Sequence, residues 1–179
     1  MRHMMFIVPP FAVLTGIALA SWGNILARSR RVLRILLVGS FSVYFLHHVF
    51  IMIQLHPYQH VYFNETVPKK SNYILKHYDQ DYWGTSFYEG LSYIAKTDPS
   101  DTIPIYVFHD VLPRNAMLLP EKDRKRFLFS PTITEKRAKY YLTTFRYDYY
   151  PDIIGVSHFK EIIYEIKRQN SPILRIWKH

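Results

Sequence analysis

The chain has 179 residues, no cysteine and a formal net charge of +9, and 49% of its residues are hydrophobic. The first 64 residues hold five arginines and no lysine, aspartate or glutamate, so +5 of that charge lies in an apolar stretch, while 65–179 carries 18 Lys/Arg against 14 Asp/Glu. The missing cysteine excludes disulfides and thiolate metal sites, and a basic excess this diffuse, without a recognised motif, argues against a nucleic-acid partner.

In chain order, Met4–Leu26 reads MMFIVPPFAVLTGIALASWGNIL and Ile35–Leu55 reads ILLVGSFSVYFLHHVFIMIQL, two uncharged runs of more than twenty residues. Each is long enough to cross a hydrocarbon layer of about 30 Å as a helix. Pro9 and Pro10 fall near the start of the first run, where they are tolerated. Arg28, Arg30, Arg31 and Arg34 crowd the turn at 27–34. By the positive-inside rule this turn is cytoplasmic, which places both chain ends and everything after His56 on the exoplasmic side. The competing expectation is a cleaved signal peptide over 1–20, with Ala18-Leu19-Ala20 as an A-x-A site. It would leave the arginine cluster outside, against the charge rule. His47 and His48 lie inside the second run, where ionisable groups are either functional or satisfied by a neighbouring helix.

The segment "LHPYQHVYFNE" (55–65) follows, with three aromatic rings, two histidines and a proline. His56 and His60 have the spacing of a helical zinc pair, but Pro57 lies between them and the glutamate of H-E-x-x-H is missing. Asn64-Glu65-Thr66 is a glycosylation sequon. A polar connector over 56–84 ends in DYWG. Asp79 and Asp81 are a carboxylate pair suited to base or cation chemistry, or to turn and cap hydrogen bonds. Trp83 suits sugar stacking, a core or a membrane interface. Ser86 and Glu89 have capping-box spacing, and Phe87, Leu91, Ile94 and Ala95 recur as one helical face, predicting a helix of about three turns that stops before Pro99.

Residues 103–108 (IPIYVF) read as a buried strand, and a helix is expected around Pro113–Leu119 with Asp110 as its cap. EKDRKR (121–126) reads as a solvated loop or helix end, or as a lipid-headgroup contact. RFLFS (126–130) and KYYLTTF (139–145) read as strands. FKEIIYEIK and SPILRIWK around Arg168-Gln169-Asn170 read as a closing hairpin. The expected architecture is a transmembrane helical hairpin followed by a small α/β exoplasmic domain over 85–179 with a mixed sheet and a C-terminal β-hairpin.

The order of features resembles the C-terminal end of bacterial integral-membrane glycosyltransferases of the GT-C superfamily, in the branch with protein O-mannosyltransferase-like and lipid A aminoarabinose-transferase-like enzymes. The pieces are Arg2 before the Pro9-Pro10 helix, the arginine-rich turn, the second apolar run, "LHPYQHVYFNE", "DYWGTSFYEGLSYI", "AKYYLTTFR" and "EIIYEIKRQNSPILRIWK". The HPYQxVYFN and DYWG pair is the most specific. The resemblance implies an inner-membrane, multi-pass family that moves a sugar from a polyprenyl-phosphate carrier, with its catalytic acidic residue in a first exoplasmic loop that has no counterpart here. The chain is then expected to be a terminal piece, inactive alone. Its partners would be the bilayer, the remaining transmembrane helices and the polyprenyl-phosphate sugar. It holds no cofactor of its own, a divalent cation belonging to the complete enzyme. Under that resemblance His56, Pro57, Tyr58, Tyr62 and Asn64 form the membrane boundary, Asp81, Tyr82, Trp83 and Gly84 dock against them, and Arg2 is the candidate for the carrier phosphate. A membrane-anchored scaffold or interaction protein and a small hydrolase or metal enzyme are the alternatives.

Overall fold

The computed structural model describes residues 8–70, 73–107, 111–130, 133–145, 159 and 161–179. The chain divides into two compact units at 54/55.

The first unit holds two helices, α1 (Val8–Arg28) and most of α2 (Arg31–Leu55). Both are long and apolar enough to cross a membrane by length and composition. Their large apolar side chains, among them Phe11, Leu14, Ile17, Val32, Leu36 and Ile53, are exposed on every side, a pattern that water does not favour. Pro9 and Pro10 sit in the first turn of α1, where no intrahelical N–H bond is lost. Residues 4–7 lie outside the described residues. The turn is shorter than the charge pattern suggests, because α2 starts at Arg31 rather than Ile35 and only Ser29 and Arg30 separate the helices. Charge marks the limit of an apolar run, whereas a helix ends where its backbone bonding ends, and arginine is a good helix former. Arg34 donates through Nη2 to the carbonyl of Ala27 at 2.9 Å, satisfying one of the open carbonyls at the end of α1.

The second unit, Leu55–His179, is a small α/β domain. Its elements are α3 (Tyr73–His77), α4 (Ser86–Thr97), β1 (Ile103–Tyr106), α5 (Val111–Ala116), α6 (Glu121–Arg124), β2 (Phe127–Phe129), β3 (Tyr140–Thr143), β4 (Glu161–Arg168) and β5 (Ser171–Lys178), with 3₁₀ turns at Gln59–Val61 and Glu135–Arg137. The five strands form one mixed sheet in the order β2-β1-β3-β5-β4. β1 lies parallel to both β2 and β3, whereas β5 is antiparallel to β3 and β4. The strand at 103–106, the hairpin and the 12-residue helix agree with the sequence expectation. α3 lies in the stretch expected to be a plain polar connector, and EKDRKR begins with the single helical turn of α6. The proposed cap Asp110 lies outside the described residues.

α4 packs its Phe87–Leu91–Ile94 face on Ile103, Ile105, Leu142, Leu174 and Ile176, all buried. Gly90 is the point of closest approach: a Cβ there would lie 2.7 Å from Leu174 Cδ2 and 3.3 Å from Leu142 Cδ2 and Ile176 Cδ1. On the other face Tyr106, Tyr141 and Trp177 line up across three strands and are covered by Ile133, Ala138 and Phe159. β3 is therefore buried along its whole length, which explains why KYYLTTF shows no polar alternation. Gln169 (φ 49°) and Asn170 (φ 62°) make the two-residue hairpin turn with both residues left-handed, the backbone that matches the twist of the flanking strands.

The end of α4 is closed by Arg126, just before β2, and by Lys139 and Tyr140 at the start of β3. Arg126 donates to the carbonyls of Ala95 (2.8 Å), Ser100 (3.0 Å) and Asp98, placing a cation where the helix dipole favours one. The buried Asp98 carboxylate accepts from Lys139 Nζ at 2.7 Å, the Tyr140 hydroxyl at 3.0 Å and the Ser100 amide at 3.0 Å. Burial pushes its pKa up, but the bonds from Lys139, Ser100 and Tyr140 outweigh this and hold it well below the carboxylate range.

A depressed carboxylate stabilises the fold above its unfolded pKa and loses that contribution as pH falls through the folded value. Thermal unfolding of the full chain in detergent should show stability declining below about pH 4. Asp98→Asn should lose about 1–3 kcal/mol at neutral pH and flatten that acid limb. An unchanged limb in the variant would remove Asp98 as its source.

Candidate functional site

The segment 55–65 is folded into the second unit. Leu55, Tyr58 and Val61 are buried there, the His56–Pro57 peptide is cis, and the 3₁₀ turn at Gln59–Val61 brings Tyr58 and His60 toward the start of α4. Two carboxylates receive them.

The first is Asp81, whose side chain has no exposed surface. Its Oδ1 accepts from the Thr85 amide (2.9 Å), the Thr85 hydroxyl (2.8 Å) and His60 Nε2 (3.1 Å). Its Oδ2 accepts from the Ser86 amide (2.7 Å) and the Ser86 hydroxyl (2.5 Å). Five donors saturate a buried charge that would otherwise be strongly unfavourable. The carboxylate also meets the first backbone N–H groups of α4, where the dipole favours an anion. The capping box expected from Ser86 and Glu89 is therefore not formed: Ser86 is itself helical and spends its hydroxyl on Asp81, and no side chain caps from position 85. Because a carboxylate only accepts, the contact assigns the proton on His60 to Nε2.

Chain reversal between Asp81 and Thr85 depends on Gly84, at φ +63°. A Cβ there would stand 2.5 Å from the Phe87 ring and 3.1 Å from Val111 Cγ1, so the glycine of DYWG is required by both backbone and packing. Tyr82 and Trp83 project outward, 42% and 56% exposed, with their rings edge to face at 5.1 Å. The Trp83 carbonyl accepts from Asn115 Nδ2 at 3.5 Å.

Glu89, eight residues after Asp81 on α4, is the second receiving carboxylate. It accepts from the Tyr58 hydroxyl (Oε2, 2.5 Å) and the Tyr164 hydroxyl (Oε1, 2.6 Å). Tyr164 stacks on Tyr93 at 4.3 Å, and the Arg168 guanidinium covers the Tyr58 ring at 4.9 Å. Burial, reinforced by the Glu89 hydrogen bond and charge, raises both phenols above the ordinary tyrosine value, Tyr164 to about 12. Further along, Gln169 grips the backbone of Phe63 twice, accepting from its N–H and donating to its C=O at 2.9 Å each. Lys69 donates to the carbonyls of Phe63 and Asn64.

Among the residues expected to meet at a boundary, Tyr58 and Asp81 are anchored to α4. Tyr62 donates to Glu65 at 3.1 Å, and Asn64 Oδ1 accepts from Thr66 N–H and Oγ1–H within the same loop. His56 is exposed beside Gln59 (Nδ1 to Nε2, 2.9 Å) and Pro57 is exposed. Arg2 lies outside the described residues. His56 and His60 thus turn to different partners, and Asp79 is exposed while Asp81 is buried. Among the described residues no three His, Asp or Glu side chains converge as ligands would on a metal ion. Thr85, His60 and Asp81 touch one another, Thr85 Oγ1 lying 3.2 Å from His60 Nε2. In a nucleophile relay the carboxylate and the hydroxyl use opposite ring nitrogens. Here both meet Nε2, so the cluster can position chain segments but cannot pass a proton from hydroxyl to carboxylate through the ring.

Sequence reasoning missed His60 as an anchor, Glu89 as a tyrosine acceptor and Tyr164 as its second donor, and it read Arg168 and Gln169 only as hairpin-turn residues. Gly84 was marked, and its reason is now visible. Gly84→Ala should destabilise the full chain by about 2–4 kcal/mol, read from denaturant unfolding; a loss below half a kcal/mol would show that the turn relaxes freely. A raised phenol stabilises the fold fully below its unfolded pKa and loses that contribution as pH rises through the folded one. Stability should therefore fall from about pH 10, and Glu89→Gln should make this alkaline limb shallower while costing about 1–3 kcal/mol at neutral pH. Equal alkaline slopes in the two proteins would detach the phenols from Glu89. Compared with family models, with curated proteins and with solved structures, the chain matches none.

Proposed function

We propose that the chain is the C-terminal membrane and periplasmic module of a GT-C-type glycosyltransferase that uses a polyprenyl-phosphate sugar, and that it works with further transmembrane helices that supply the catalytic carboxylate. The observation that carries this reading is the joining of the two resemblance-bearing segments, 55–65 and 79–92, through His60–Asp81 and Tyr58–Glu89. A paired signature that builds one element is expected to be shared across a family as a unit.

Both carboxylates of that element are engaged in hydrogen bonds, and Asp81 is shielded from solvent. Their role is to hold the segments, and the acid–base chemistry of sugar transfer, with any divalent cation, falls to the complete enzyme. α1 and α2 are read as spans of the inner membrane, with Arg28, Arg30, Arg31 and Arg34 on the cytoplasmic side and the α/β unit in the periplasm. Arg2 then falls on the same side as the α/β unit, where a carrier phosphate would be met. A membrane-anchored interaction protein is the second reading, favoured by the exposed Tyr82–Trp83 pair and by Met117 and Leu118, 67% and 68% exposed.

Since the chain has no cysteine, single-cysteine variants report topology directly. In intact cells a membrane-impermeant maleimide should label Lys122→Cys and leave Ser29→Cys unlabelled until the membrane is opened; the reverse pattern would overturn the orientation. The purified full chain should transfer no sugar from a polyprenyl-phosphate donor, and transfer by the chain alone would overturn the module assignment.

A further inference from the structure

The corner of the α/β unit formed by the DYWG turn and the α5–α6 connection is apolar on its outer side. Ala116 and Leu119 are buried and serve the core, yet Met117 and Leu118 between them are 67% and 68% exposed, as open as the most exposed side chains of α1 and α2. They are held outward, because the Leu118 amide donates to the Asn115 carbonyl and the Leu119 amide to that of Ala116. Asn115 also ties in the turn, donating through Nδ2 to the carbonyls of Val111 and Trp83, so the exposed Tyr82 and Trp83 belong to the same corner. Beside it, Glu121 faces Lys125 at 2.6 Å and Asp123 faces Arg126 at 3.9 Å. The two acidic groups of that turn are thereby answered, which leaves the exposed Lys122 and Arg124 as its uncompensated charges.

We propose that this corner enters the interfacial layer of a bilayer with anionic headgroups, with Met117 and Leu118 at the acyl boundary, Tyr82 and Trp83 at headgroup level, and Lys122 and Arg124 on lipid phosphates. Indole and phenol rings favour that layer, and a lysine or arginine near an anionic surface adds attraction. Area and reach both select lipid over protein as the occupant. Four side chains exposed to this degree present roughly 500 Å², against about 800 Å² per partner in a stable protein interface. Lipid needs no matching shape, and it is at hand: Leu55 is both the last residue of α2 and a buried residue of the α/β unit, so no linker separates that unit from the candidate span. A weak lipid contact then acts at high effective concentration. The inference rests on the membrane-spanning part of the function proposed above and not on sugar transfer. It also removes from the interaction-protein reading the patch that favoured it.

The test uses the full chain in phosphatidylcholine vesicles that contain one-third phosphatidylglycerol and a lipid with a nitroxide on its acyl chain. A nitrobenzoxadiazole label on Leu118→Cys should emit further to the blue than one on Lys96→Cys, at the far end of α4, and the nitroxide should quench it at least twice as strongly. Lys122→Glu with Arg124→Glu should reduce that quenching about twofold, and the reduction should vanish in phosphatidylcholine alone. All of the substituted side chains are exposed, and near-ultraviolet circular dichroism equal to that of the unsubstituted chain shows that the fold is kept. Equal quenching at the two positions or none at either would overturn the proposal. So would a blue shift that the nitroxide leaves untouched and that fades as the chains are diluted in lipid, the mark of a second copy at this corner. Alkaline carbonate separates the two readings: a chain that it strips from the vesicles is not membrane-spanning, and both fall; a chain retained without quenching at Leu118→Cys overturns the lipid contact alone. Sugar transfer by the chain would remove the module assignment and leave the lipid contact standing.

Discussion

The Asp81 side chain sits in a position without solvent, and the second unit is arranged so that its two oxygens meet five donors. Two of them are the amides that open α4, two are hydroxyls from the same turn, and the fifth is the His60 ring from a segment 21 residues earlier. Removing the carboxylate would leave several polar groups buried together without an acceptor, and moving it would require a different turn at Gly84. Helix start, tight turn and upstream segment are therefore one interaction. α4 in turn brings its apolar face and Gly90 against β3 and β5, so the sheet's main cover is positioned by the same group.

Glu89 repeats the arrangement one step further along α4, with neutral phenols as donors in place of amides. Between them the two carboxylates hold 58–60 against the helix, and Gln169 holds Phe63 by its backbone. The aromatic-rich segment is thus fixed at successive points by α4 and by the hairpin turn. Phenol and imidazole donors suit this task because each brings a large apolar ring along with one polar atom. Tyr58 shows the combination: its ring is buried under Arg168 while its hydroxyl reaches Glu89.

What could be read in advance follows from range. The apolar runs, the helix at 86–97, the strand at 103–106 and the closing hairpin are each announced by neighbours within a few residues, through periodicity or turn composition. The pairings that build the site join residues 31, 75 and 106 positions apart, as in Tyr58–Glu89, Tyr164–Glu89 and Phe63–Gln169, and no local pattern encodes them. Ser86 and Glu89 illustrate the difficulty. Their spacing is that of a reciprocal cap, yet an upstream aspartate takes the serine and two distant tyrosines take the glutamate. α3 escaped notice because YILKH buries only Ile74 and Leu75, too few positions to show a period. The two anchoring histidine and tyrosine residues were noticed as a cluster, but their partners lay beyond anything that spacing reveals.

The strand order has a consequence in time. β5 is the last of the described strands and an interior one in the sheet, pairing with β3 on one side and β4 on the other, and the clamp on Phe63 comes from Gln169, two residues before it. During synthesis the 55–65 segment waits for residues 169–178 before Gln169 can hold the Phe63 backbone. At typical elongation rates that interval is roughly 5–25 s. For the part of it that follows the synthesis of residues 86–97, the apolar face of α4 lacks the strands that cover it, and Glu89 has Tyr58 but not yet Tyr164 as a donor. Cellular quality control would therefore encounter the α/β unit chiefly as an unfinished sheet awaiting β5.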